Sequence, residues 1–238
     1  MVDRAVSDVL GYALVFALIV SMVGLVYTTG LSGLQDVREA EKLTNAERAF
    51  DVLDANIDDI AHGKTDSRGT EIKLQNARLG FGDPVHMNVT IEGGDSYTAT
   101  FRPIFFESDT GGPRIVEING AIIRSESGGS VMLSDPSFIF GETTVVPMIY
   151  TRTRDAGVAG SGRVLVRTVS PTRSVAHVDV PAGNQVTINV TTPRTNAWRD
   201  YFERASDGTC STTGNSVICT ITPDEVYVQF VAVDVSLE

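Results

Sequence analysis

No charged residue occurs between Val9 and Gln35, and most of that run is Val, Leu, Ile, Ala, Phe and Met. About 20 apolar residues at 1.5 Å rise each already cross the hydrocarbon core of a bilayer, so the run predicts a membrane-spanning helix. The pattern then changes period without breaking. Leu43, Ala46, Phe50, Leu53, Ile57 and Ile60 follow one another at spacings of three and four, a heptad seam with Glu41, Lys42, Glu47, Arg48, Asp51, Asp54, Asp58 and Asp59 set between its positions. Gly63, after His62, is placed to end the helix in a left-handed residue. The first proline is Pro84, so one helix from about Ser7 to His62 is allowed, a rod of roughly 80 Å. Gly11, Gly24, Gly30 and Gly33 are its soft points.

Beyond Gly63 the period falls to two. Short runs rich in β-branched and aromatic residues predict strands over 71–79, 85–91, 97–106, 114–118, 121–125, 131–134 and 145–151, and again over 163–169, 174–180, 185–191, 216–221 and 227–235. So many short strands predict a mainly antiparallel, sandwich-like sheet domain, and with the leading helix an α+β chain. Pro193 to Arg204 interrupts the strands as a short helix with Trp198, Tyr201 and Phe202 on one face, a core plug. Asp155 to Gly162 reads as a flexible, glycine-rich hairpin connection.

The hairpin Cys210-Ser-Thr-Thr-Gly-Asn-Ser-Val-Ile-Cys219 carries its own geometry. With Gly214-Asn215 as a two-residue turn, Thr213 faces Ser216, Thr212 faces Val217 and Cys210 faces Cys219 at a distance a disulfide can bridge. Bonded, the pair requires an oxidising, extracytoplasmic compartment; the alternative is two free thiols that happen to be opposed. Asn88-Val89-Thr90 and Asn189-Val190-Thr191 are N-glycosylation sequons, which makes Asn88 and Asn189 candidate modification sites on the same side of a membrane.

Acidic residues number 30 against 19 basic ones, for a net charge of −11. That excess argues against a nucleic-acid partner, which needs a basic patch. It fits an ordinary solvated surface, or one adapted to high salt. The three histidines, His62, His86 and His177, have no partner at metal-ligand spacing, so no metal and no cofactor are expected. Asp54-Ala-Asn56-Ile-Asp58 imitates the start of a calcium loop, but Asp59 stands where the loop needs Gly and the segment lies on the heptad helix. No nucleophile elbow or phosphate loop is present, and no catalytic residues are expected.

The start of the chain adds a resemblance. A secretory signal has a short apolar stretch followed by a small-residue cleavage site; here small residues precede a much longer stretch. In Arg4-Ala5-Val6-Ser7-Asp8-Val9-Leu10-Gly11 a charged residue, a small residue, Val-Ser and a Leu-Gly pair come in the order that resembles the class III prepilin-type leader of haloarchaeal (euryarchaeal) type IV pilin-like proteins. Asp8 stands where that family commonly has Pro. The resemblance implies processing by a membrane prepilin peptidase between Ala5 and Val6. It further implies assembly through Ser7, Asp8, Leu10 and Gly11 with identical or related pilin-like subunits, and a β-rich domain outside the cell membrane.

The expected organisation is a leader over residues 1–5, a transmembrane or filament-core helix over 6–35, an amphipathic stalk over 36–63 and an extracellular head over 64–238. The expected function is a non-enzymatic cell-surface protein of structural or adhesive kind. The competing expectation is an uncleaved signal anchor carrying an extracellular binding or receptor module.

Overall fold

The computed structural model describes residues 3–238, with side chains for all of these except residues 3–9, 28–32, 36 and 171. Among the described residues two helices and fifteen strands make an α+β fold, and by compactness the chain divides into units Met1–Thr44 and Asn45–Glu238. Helix α1 runs over Asp3–Ala61. The strands that follow are β1 (Ser67–Lys73), β2 (Ala77–Phe81), β3 (Val85–Ile91), β4 (Ser96–Phe101), β5 (Ile104–Ser108), β6 (Arg114–Ile118), β7 (Ala121–Glu126), β8 (Gly129–Ser134), β9 (Thr143–Arg152), β10 (Gly157–Gly160), β11 (Arg163–Asp179) and β12 (Val186–Thr191). Helix α2 (Thr195–Ala205) then precedes β13 (Thr209–Thr213), β14 (Ser216–Ile221) and β15 (Glu225–Leu237).

In the larger unit the strands form three sheets. One is four-stranded in the order β1-β11-β15-β9, one six-stranded in the order β10-β2-β5-β6-β7-β8, and one five-stranded in the order β13-β14-β12-β3-β4. Pairing is antiparallel everywhere except between β15 and β9, which run parallel. β9 carries Pro147, which cannot donate to a ladder and so suits an edge. Buried Asn119 covers that edge by donating to the Pro147 carbonyl (3.1 Å) and accepting from the Ile149 amide (2.7 Å).

One apolar cluster gathers the inward-facing rows of the five-stranded sheet, among them Met87, Val89, Ile188, Val190 and Val217, with Phe105, Val116, Val146 and Met148. Trp198, Tyr201 and Phe202 of α2 enter the same cluster, as their spacing predicts, and Phe138 meets all three edge-on within 5.8–6.3 Å. Consecutive buried residues in β5, β6 and β9 show that these strands are covered on both faces.

The seam of α1 is part of this unit. Ala46, Phe50, Leu53, Ile57 and Ile60 are buried within the chain, while Leu43 belongs to the smaller unit. Side chains of the strands and of the β8–β9 connection fasten the helix: Ser134 donates to Asp54 (3.3 Å), Asn56 to Thr70 (2.9 Å) and Ser137 to Asp58 (3.1 Å). Its last carbonyls, which a helix cannot satisfy internally, accept from Arg173 at Ile60 (2.9 Å) and Gln229 at Ala61 (3.3 Å). Gly63, at φ +72°, closes the helix.

Four local expectations are corrected. The strand predicted over 97–106 is two, β4 and β5, which join different sheets on either side of Arg102 and Pro103, a residue that cannot donate to a ladder. The strand predicted over 71–79 is cut in two because Gln75 and Asn76 take φ near +60°, which sends β1 and β2 into different sheets. The strands predicted over 163–169 and 174–180 are one strand, β11, whose register shifts between Val169 and Thr172. The glycine-rich connection holds β10, paired with β2 so closely that a Cβ on Gly157 would meet the Leu79 carbonyl oxygen at 2.8 Å.

Candidate functional site

The apolar window Leu10–Tyr27 of α1 is long and apolar enough to cross a membrane, and none of it is buried within the chain. Its polar atoms are few, and Ser21 turns its hydroxyl back to the Ala17 carbonyl (2.7 Å), which hides the donor from an apolar surrounding. Leu10 is exposed, and a side chain built at Gly11 would touch nothing within 4 Å. The side chains of Ala5, Val6, Ser7 and Asp8, on which the cleavage and assembly expectations fall, lie outside the described residues.

The hairpin register and the disulfide are as the sequence predicts. Gly214 and Asn215 form the turn, Thr213 pairs with Ser216 and Thr212 with Val217, and Cys210 is bonded to Cys219 across the β13–β14 ladder.

The two sequons meet. Asn88 on β3 and Asn189 on β12 are directly opposite each other at the centre of the five-stranded sheet, on the face away from the core. Asn88 Oδ1 accepts from Thr90 (3.0 Å) and Ser96 (2.8 Å), whereas Asn189 Oδ1 is buried without a partner. The register extends this pairing into an array. One row across the sheet is Ser96, Thr90, Thr187, Thr220 and Thr209; the next is Thr98, Asn88, Asn189, Ile218 and Ser211; the third is Thr100, His86, Thr191, Ser216 and Thr213. Apart from His86 and Ile218, every position is Ser, Thr or Asn. No Asp, Glu, Lys or Arg stands in these three rows, in a chain with net charge −11.

Two open clefts border the larger unit. One, of about 930 Å³, lies beside β13 and β14 and is lined by Phe140, Glu142, Arg204 and Ser211 among others. The second, of about 550 Å³, contains Arg114 and Arg194. Burial first, and then the neighbouring Arg114 charge, pull the Arg194 guanidinium down to about 10, while its Nε donates to Ser125 (3.1 Å).

The histidines divide among three settings. His62, just past the end of α1, lies 3.1 Å from Asp58 of that helix, and His86 meets Thr100 at 2.9 Å. His177 points Nε2 at Asp179 (3.5 Å) and Glu225 (3.9 Å), a grouping the sequence search missed because its ligand spacing runs across the β11–β15 ladder.

An exposed apolar helix joined to a disulfide-bonded sheet domain defines the class of an α+β protein with one candidate membrane span or signal anchor. The chain belongs to DUF7289, a family of unknown function whose pattern extends over residues 4–236, helix and sheet domain together. No curated protein and no solved structure matches it.

Proposed function

We propose that this chain is an archaeal type IV pilin-like protein of the cell surface, released from its leader between Ala5 and Val6 and held in the membrane or in a filament by the helix that follows. The observation that carries the reading is the uncovered Leu10–Tyr27 helix in a chain whose C-terminal hairpin is closed by a disulfide. The first needs an apolar surrounding and the second an oxidising compartment, so the sheet domain belongs outside. The role is structural or adhesive, and Asn88 and Asn189 are the candidate glycan acceptors.

The buried seam narrows how such a protein assembles. Ala46, Phe50, Leu53, Ile57 and Ile60 are covered by their own domain, which leaves the apolar N-terminal part of α1 to meet other helices. Sheet domains carrying this much negative charge approach most readily through the uncharged Ser/Thr/Asn face, the surface we assign to contact between copies whose Asn88 and Asn189 carry no glycan, since a glycan there would hold them apart.

Intact-mass measurement of the membrane-extracted protein tests the leader. A mature chain beginning at Val6 is expected, and Ala5→Leu should leave it uncut. A native chain that keeps residues 1–5 overturns the pilin reading and leaves an uncleaved signal anchor bearing a binding module.

A further inference from the structure

We propose that His177, Asp179 and Glu225 form a binding site for a divalent transition-metal ion of the zinc type on the outer face of the four-stranded sheet. The placement is set by the β11–β15 register: His177 is opposite Tyr227, and Asp179 is opposite Glu225. Residues two apart on a strand share a face, so the four side chains stand together on one patch of the sheet. One ligand atom from each of the three lies within 4.8 Å of the other two. A tetrahedral ion with bonds near 2.1 Å has ligand–ligand edges of about 3.4 Å. The observed 3.5 Å from His177 to Asp179 and 3.9 Å to Glu225 are close to that edge, and rotamer adjustment at an exposed patch closes the rest.

The surroundings favour a cation in that gap. The Tyr227 ring stacks on the imidazole at 4.5 Å between centroids, which fixes the plane of His177 and keeps Nε2 directed at the carboxylates. The Tyr227 hydroxyl donates to Glu225 Oε2 (3.4 Å), an outer contact that orients a ligand. Among the described residues no Lys or Arg forms an ion pair with either carboxylate, so two negative charges share one imidazole. The imidazole selects the ion: a nitrogen ligand suits zinc, nickel or copper, whereas calcium and magnesium prefer an all-oxygen shell. Such an ion would clip the two longest strands where β11 ends and β15 begins, and would leave a coordination position open to water.

The same geometry arises from an imidazolium held by two carboxylates with no metal, and titration separates the two. Zinc chloride added to the full-length chain in detergent, followed by calorimetry, should show one ion per chain. His177→Ala and Asp179→Asn should each weaken binding by about tenfold or more, and His62→Ala should leave it unchanged. Circular dichroism of the variants should be native, since both side chains are exposed. Absence of saturable zinc binding, binding indifferent to His177→Ala, or equal affinity for calcium would each overturn the assignment.

Discussion

Glu117 is buried on β6 with one carboxylate oxygen accepting from the Gly120 amide (3.3 Å) and the other without a partner. Burial first, and then the charge of Asp54, push it up to about 8. Asp54, on α1, is itself raised to about 6, chiefly by burial, against the lowering effect of its bond from Ser134. Both values lie above those of the unfolded chain, so the folded state holds more protons between about pH 4 and pH 8. Stability contributed by this pair is therefore present at the acidic end of that window and is lost as pH rises through it. Glu117→Gln keeps the acceptor for Gly120 and removes the charge. It should leave the thermal midpoint unchanged near pH 5 and raise it near pH 9, by about 1–2 kcal/mol, a few degrees. A variant that melts below the parent at both pH values would show that Glu117 is not a buried acid under strain.

At the scale of elements, the seam from Ala46 to Ile60 is the part of α1 that the larger unit needs. Leu53 is wholly buried, and truncating such a side chain costs about 2–5 kcal/mol. Leu53→Ala should lower the free energy of unfolding in urea by that amount and the midpoint with it, read from the fluorescence of Trp198, the only tryptophan and one buried in the sheet domain. Val52→Ala, at an exposed position of the same helix, should change stability by less than about 0.5 kcal/mol. Equal effects from the two would show that the seam is not packed. The sequence makes these positions readable because a heptad has a period and the cysteine hairpin has a turn, both local. It does not reveal their partners: the parallel β9–β15 pairing, the separation of β1 from β2 at two left-handed residues, and the passage of β11 through Pro171 depend on contacts far apart in the chain. The His177 cluster is illegible for the same reason. Asp179 lies two residues away, but Glu225 arrives only when β15 pairs with β11.

For the whole molecule, the distribution of charge matters more than its sum. A net charge of −11 repels copies of this chain from one another over about 10 Å at 0.1 M salt, a range that shrinks to about 3 Å at 1 M. The five-stranded sheet alone presents five strands of uncharged side chains, already partly bonded to one another, as in the Thr90, Ser96 and Asn88 group and the Thr191–Ser216 pair. Like charges opposed across a contact are costly, so acidic residues planted on this face should disrupt association while leaving the fold intact. Thr98 and Ser211 lie on opposite edge strands of the middle row and are exposed. The double variant Thr98→Glu and Ser211→Glu should melt with the parent by Trp198 fluorescence, yet sediment as a smaller species after mild extraction. Molar salt should restore part of the lost association by screening. Assembly that is unaffected at low salt would remove this face from the contact and leave the apolar helix as the place where copies meet.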